Sequence, residues 1–135
     1  MVSISSYRKS GDLLKKLTNI PPLINAYIKE NPNLTVLEGP ILQYRMEKGK
    51  PRKRYLFLID RVLVICKVHG TKFTIHHCIG LNSRKDIAIV TDSQYKIPDV
   101  EFRVYGRWTY ILFAQSTQER DRWVQEMQKY LSIHI

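Results

Sequence analysis

The sequence has no long apolar run, few cysteines and a shortage of acidic residues. No stretch of about 18 consecutive apolar residues occurs, so we expect no membrane-spanning helix. The first thirty residues carry charges at Arg8, Lys9, Asp12, Lys15 and Lys16 in place of a signal sequence, and neither lipidation motif is present. These absences predict a cytoplasmic protein that reaches a membrane only through its side chains.

Sites for disulfides, metals and catalysis are also missing. Cys66 and Cys78 lie in apolar stretches, which is typical of reduced thiols in a core. His76 and His77 precede Cys78, but neighbours on a strand point to opposite faces and no second pair of ligands is present. The sequence shows no paired catalytic carboxylates, no nucleophile with a histidine and no glycine-rich phosphate motif. We therefore expect no metal, no cofactor and no enzymatic activity.

Positive charge is what the sequence has in excess. Twenty-two Lys and Arg residues face 12 Asp and Glu residues, which gives a net charge of +10. Residues 45–54 hold six basic residues and one acid, a net +5, and this predicts an anionic partner. We do not expect nucleic acid, because the charge clusters in one loop and no aromatic strand surface of the RNA-binding type is visible. Anionic phospholipids and acidic proteins remain as alternatives.

Residues 12–30 carry an apolar stripe with helical spacing. Its members recur at intervals of three and four: Leu13, Leu14, Leu17, Ile20, Ile24, Tyr27 and Ile28. Pro21 and Pro22 interrupt the stripe, because a residue before proline is disfavoured in the α region whereas proline suits the first turn of a helix. We therefore expect two short helices with a break near Ile20, closed by Asn31-Pro32.

From Val36 the pattern changes to short runs rich in β-branched and aromatic residues, separated by turns. The predicted strands are Val36–Tyr44, Lys53–Asp60, Arg61–Val68, Phe73–Leu81, Ile87–Thr91, Val100–Tyr105 and Trp108–Gln115. The first turn is predicted to be long and basic. A C-terminal helix follows Ser116, which forms a capping box with Glu119, and Trp123 lies on its apolar face.

Seven short strands followed by an amphipathic helix with a central tryptophan resemble a pleckstrin homology (PH) domain. The resemblance rests on Leu37–Leu42, Lys53–Lys67 and Tyr110–Ser116, followed by Glu119-Arg120 and Trp123. It implies a mainly β fold, a seven-stranded antiparallel barrel or sandwich capped by the C-terminal α-helix and preceded by short N-terminal helices. Residues 1–33 are then a helical extension or linker, and residues 34–135 are the PH-like domain.

The run Tyr55–Val64 is most similar to PH domains that follow Dbl homology domains in Rho guanine nucleotide exchange factors. In that family the last exchange-domain helix runs into the first PH strand, and residues 12–31 match its end. The resemblance implies that the apolar stripe packs on a preceding domain, with packing on the sheet as the alternative. It implies an adjoining Dbl homology domain or a small GTPase as partners. About 35 residues are too few for an exchange domain, so exchange is not catalysed here.

PH domains that bind phosphoinositides use a lysine late in the first strand and a basic pair at the start of the second. Arg52-Lys53-Arg54 supplies the pair, whereas Gln43 stands at the lysine position. Strand alternation puts Arg52 and Arg54 on one face, and we expect both to be exposed. The candidate lipid- or anion-binding residues are Arg45, Lys48, Lys50, Arg52, Lys53, Arg54, Lys67, Lys72 and Arg107.

The resulting prediction is a membrane-recruitment module that binds anionic phosphoinositide membranes, peripheral at the membrane in Rho GTPase signalling. The alternative is a protein-interaction module that contacts a small GTPase, an exchange domain or another acidic partner. Lys48–Arg54 could instead be a solvated turn that protects a sheet edge. For Trp108, cross-strand packing is favoured over membrane insertion.

Overall fold

The computed structural model of the chain describes residues 5–45, 48–82, 86–90, 100–106 and 108–131. Within these ranges the chain forms nine strands, two α-helices and a 3₁₀ helix. In chain order they are β1 (Ser6–Lys9), the 3₁₀ helix (Ser10–Lys15), β2 (Leu17–Thr18), α1 (Pro22–Glu30), β3 (Thr35–Arg45), β4 (Lys48–Ile59), β5 (Val62–His69), β6 (Lys72–Gly80), β7 (Asp86–Val90), β8 (Glu101–Tyr105), β9 (Thr109–Phe113) and α2 (Thr117–Leu131). The mainly β prediction with a C-terminal helix is confirmed. Neither α-helix in the described ranges has the length and hydropathy needed to cross a membrane.

Backbone contacts divide the chain into two compact units. The N-terminal unit comprises Ser5–Gly39 and Arg54–Gly80, and the C-terminal unit comprises Pro40–Lys53 and Leu81–Ile135 together with Met1–Ile4. The long strands β3 and β4 therefore each contribute residues to both units.

In the N-terminal unit the strands lie in the order β2-β6-β5-β4, and β1 pairs with β3. β4 and β5 form a tight hairpin around Asp60-Arg61, in which Asp60 has a φ of 50°. The turn from β5 to β6 uses Gly70 at a φ of 60°, a conformation that favours glycine. Both turns lie where the sequence predicts them.

The N-terminal segment, residues 5–31, is an integral part of this unit. The 3₁₀ helix and α1 stand in place of the two predicted helices, and α1 begins at Pro22 as expected. Leu13 and Ile28 are fully buried in a core that includes Phe57 and Val64. All members of the apolar stripe except Tyr27 therefore pack on the sheet, which is the alternative; the expectation that they pack on a preceding domain is wrong.

Two strands of the N-terminal segment account for the difference between nine strands and the predicted seven. β1 pairs antiparallel with β3, and β2 pairs parallel with β6. The Phe73 amide also donates to the Lys16 carbonyl at 2.9 Å. β1 has four residues and β2 has two. Both are held by backbone pairing and not by an alternating apolar face, so the sequence carries no pattern from which they could be predicted.

In the C-terminal unit the strands lie in the order β3-β9-β8-β7, and α2 packs on β7 and β8. The Glu119 amide donates to Ser116 Oγ at 3.1 Å, so the predicted cap of α2 is present. Trp123 is 1% exposed and lies on the buried face of α2, as predicted.

The two cysteines differ in burial. Cys66 on β5 is fully buried, and burial raises the pKa of its thiol to about 12. Cys78 on β6 pairs with Val64 but is exposed, so its assignment to the core is wrong. Both thiols are free.

Candidate anion-binding surface

The basic run lies on strand rather than in a long loop. β3 ends at Arg45 and β4 begins at Lys48, so only two residues separate the strands and the predicted long basic turn is wrong. The cationic heads of lysine and arginine reach water on aliphatic stems, so a strand can carry many of them. We call residues 45–53 the basic hairpin; all of them belong to the C-terminal unit.

Three cations of the basic hairpin are exposed: Lys50, Arg52 and Lys53. Among the residues that the structure describes, no acid forms an ion pair with Lys50 or Arg52. Their charge is therefore not neutralised by the described part of the protein. Arg45 and Lys48 mark the strand ends, but their side chains lie outside the described residues, as does all of Arg107.

The turn between β8 and β9 lies at the same end of the C-terminal unit as the basic hairpin. β9 is antiparallel to β3, and Tyr44 pairs with Ile111. That pair is one residue from the end of β3 and two residues from the start of β9. Trp108 lies directly before β9 rather than within the predicted strand, and its side chain is 64% exposed. The signal that could have indicated exposure is its position directly after Gly106-Arg107, in a turn rather than on a strand.

The remaining predicted site residues belong to the N-terminal unit. Arg54 is 8% exposed, which contradicts the expected exposure. It shares a face of β4 with Leu56 and Leu58, which are also buried, so alternation along the strand carries it inward. Lys67 is half-buried on β5, and Lys72 is exposed at the start of β6.

Other cations are neutralised inside their own unit. In the C-terminal unit Arg103 Nε lies 2.7 Å from Glu101 Oε2, and Glu101 is fully buried. Burial alone would lower the pKa of Arg103, but its hydrogen bond to Glu101 and the carboxylate charge outweigh that effect and raise the pKa. Arg103 therefore holds Glu101 in place, and that buried carboxylate compensates its charge.

An apolar groove lies in the N-terminal unit between α1 and the turn from β4 to β5. Its volume is about 260 Å³, and its lining comprises Leu23, Ile24, Tyr27, Ile59, Asp60, Arg61 and Val62. Leu23 is 86% exposed and Tyr27 is 38% exposed. The Tyr27 hydroxyl donates to Asp60 Oδ2 at 2.5 Å, which closes one side of the groove. We call these residues the α1 groove.

The family model described as "PH domain" matches residues 35–132 of this chain. The chain is 28% identical over 133 residues to human FYVE, RhoGEF and PH domain-containing protein 4. The alignment covers 89% of this chain but only 17% of that protein. The chain therefore corresponds to about a sixth of its curated relatives.

Solved structures of exchange factors share the fold. An activated truncation of Vav1 superposes with a TM-score of 0.69 at 18% identity, over 90% of this chain and 31% of that chain. The DH/PH domains of PDZ-RhoGEF in complex with activated RhoA superpose with a TM-score of 0.63 at 18% identity, over 90% of this chain and 38% of that chain. Both superpositions cover more of the chain than the family model does, so the likeness of fold extends beyond residues 35–132.

Proposed function

The chain belongs to the PH domain family, and we propose that it is a non-catalytic module of a Rho exchange factor that binds the anionic cytoplasmic surface of a membrane. The observation that carries the proposal is the exposure of Lys50, Arg52 and Lys53 on the basic hairpin. The name of the relatives, which joins a RhoGEF to a PH domain, supports the exchange-factor context.

Several weak cationic contacts supply the attraction. Each Lys or Arg near an anionic surface contributes about 1 kcal/mol, so three exposed cations contribute about 3 kcal/mol. Such attraction is screened within about 8 Å at physiological ionic strength. We therefore expect binding to depend steeply on salt and on the density of anionic lipid.

The residues present favour selection by charge over selection of one headgroup. Gln43, half-buried on β3, stands where a phosphoinositide pocket of this family has lysine. Arg54, the second member of the basic pair, is 8% exposed. Both features weaken the binding of one particular inositol phosphate in a closed pocket. The exposed cations of the basic hairpin then supply most of the attraction.

Vesicle sedimentation tests this proposal. The chain is mixed with phosphatidylcholine vesicles, with vesicles that also contain phosphatidylserine, and with vesicles that contain singly or multiply phosphorylated phosphoinositides. We expect no sedimentation with phosphatidylcholine alone, and sedimentation with the others that increases with lipid charge and falls with added salt. Absence of binding to every anionic vesicle would exclude the membrane function.

The α1 groove favours a second function, contact with an adjoining exchange domain. Leu23 and Tyr27 leave apolar surface open on a helix whose other face is buried in the core. The fold shared with DH/PH structures extends beyond the family-model match, and the relatives continue well beyond the length of this chain. We therefore infer that the groove receives an apolar side chain of the exchange domain.

The second function can be measured separately, with the RhoGEF domain of the human relative as the probe. Leu23→Ser should weaken its binding to the chain by about tenfold, the effect of exposing one leucine-sized apolar contact. Tyr7→Ser, at another exposed apolar residue of the N-terminal unit, is the matched control and should have no effect. Equal affinities for the parent and Leu23→Ser would remove the groove from the interface.

A further inference from the structure

We propose that Trp108 inserts into the headgroup region of an anionic bilayer while the basic hairpin contacts the lipid phosphates. This inference rests on the proposed membrane function and assigns the part of the surface that enters the membrane.

Exposure sets Trp108 apart from the other tryptophan. Trp108 is 64% exposed, whereas Trp123 is 1% exposed. Gly106 and Thr109 are exposed as well. The Gly106 amide donates to the Trp108 carbonyl at 3.2 Å, which ties the backbone of Trp108 to the end of β8. Trp108 thus presents a large aromatic side chain to solvent.

Strand register brings the tryptophan to the cationic end of the C-terminal unit. Tyr105 pairs with Thr109 directly below the turn. Further along β9, Ile111 pairs with Tyr44 of β3. Trp108 is three residues from Ile111, about 10 Å along an extended chain. It therefore lies near the strand ends from which the basic hairpin begins.

Exposed cations begin close to these strand ends. Lys50 is exposed two residues after the start of β4, and Arg52 and Lys53 follow it along the strand. One acid, Asp86, is the register partner of Tyr105. Cations next to an exposed aromatic fit a surface that is anionic outside and apolar within, which is the chemistry of a bilayer containing phosphatidylserine or phosphoinositide.

Tryptophan suits the boundary between headgroups and acyl chains. Its indole ring is largely apolar and its N–H can donate to a lipid carbonyl or phosphate, which explains why tryptophans are enriched at membrane interfaces. Insertion of the ring adds a contribution that salt does not screen. Trp108→Ser should therefore weaken vesicle binding by about tenfold, and the residual binding should remain sensitive to salt.

The intrinsic fluorescence of the chain provides the test. Trp108→Phe leaves Trp123 as the only tryptophan, so the difference between parent and variant reports on position 108. The probes are phosphatidylcholine vesicles with phosphatidylserine, carrying lipids brominated either near the headgroup or near the chain end. We expect the parent emission to shift to shorter wavelength and to be quenched most by bromine near the headgroup. Trp108→Phe should show neither change, because Trp123 is in the core.

Affinity variants complete the experiment. Trp108→Tyr should retain most of the binding that Trp108→Ser loses, because tyrosine is also suited to the interface. Tyr7→Ser, at an exposed apolar residue of the other unit, should leave vesicle binding unchanged. Insertion would be overturned if the parent sediments with anionic vesicles, the Trp108 emission stays constant and Trp108→Ser binds equally well. That result would leave the proposed function intact. Parent that binds no vesicle would overturn both.

Discussion

The guanidinium of Arg8 donates two hydrogen bonds to the carboxylate of Glu38, which joins β1 to β3. Glu38 is 4% exposed, and the Tyr55 hydroxyl of β4 donates to the same carboxylate at 2.8 Å. Burial raises the pKa of Tyr55, and its hydrogen bond to Glu38 raises it further, so the phenol stays a donor at neutral pH. One buried carboxylate thus connects the N-terminal segment to two strands of the sheet.

Replacement of Arg8 should destabilise the domain. Arg8→Met leaves Glu38 buried without its charged partner, and we expect the free energy of unfolding to fall by about 2 kcal/mol. Urea denaturation measures the change. Lys9→Met, at the exposed neighbour, is the matched control and should stay within about 0.5 kcal/mol of the parent. An Arg8→Met variant as stable as the control would show that the N-terminal segment is not held by this pair.

The sequence was informative where side chains fall into alternating or helical patterns. The strands from Val36 onward follow apolar residues that are buried, and the cap of α2 follows from Ser116 and Glu119. β1 and β2 were missed because backbone pairing holds them. The predicted packing partner of the apolar stripe was wrong, because an apolar pattern indicates that a helix face is buried but does not identify the element that covers it.

The exposure of individual residues on the candidate surface was also predicted incompletely, because the sequence does not show what surrounds each side chain. The sequence shows where positive charge is concentrated, but the exposure of each side chain depends on where the strand enters the core. Arg54 is buried because it precedes Leu56 on the same face, whereas Arg52 is exposed two residues earlier. The exposure of Trp108 depends on the length of its turn, which composition does not specify.

Hydrogen exchange should show that the N-terminal segment is folded in the isolated chain. The amides of Ser10 and Gly11 donate to Leu34 and Pro32 carbonyls at 2.8 and 2.9 Å, and the Phe73 amide donates to Lys16. We expect these three amides to exchange slowly, because they open only with the core. Amides of the exposed turn at Gly70 and Thr71 serve as the fast reference. Exchange of Ser10 and Gly11 as fast as that reference would mean that the segment opens independently.

The two tryptophans should differ sharply in their effect on stability. Trp123→Ala removes a fully buried aromatic and should lower the free energy of unfolding by about 3–5 kcal/mol. Trp108→Ala, at an exposed turn, should change it by less than about 0.5 kcal/mol. Thermal denaturation of both variants measures this contrast. Similar melting temperatures for the two variants would contradict the assigned burial of Trp123.

Stability should fall at alkaline pH. The pKa of Cys66 rises from 9.0 to about 12 on folding, so the folded state holds the thiol proton more tightly than the unfolded state. The stabilising effect is fully present below pH 9 and is lost as the pH rises toward 12. Cys66→Ala should therefore be less stable than the parent at neutral pH but should lose less stability across this range. An unchanged slope, measured by urea denaturation at several pH values, would contradict burial of the thiol.

The most direct test of the membrane function compares two variants that remove equal charge. Lys50→Ala/Arg52→Ala/Lys53→Ala removes three exposed cations from the basic hairpin, and Lys9→Ala/Lys15→Ala/Lys29→Ala removes three from the N-terminal segment. Partitioning onto phosphatidylserine vesicles is measured for both. The hairpin variant should lose about a hundredfold in affinity, from three contacts of about 1 kcal/mol each, and the other variant only a few-fold. Equal losses would assign binding to total charge, and no loss in the hairpin variant would contradict the proposed surface.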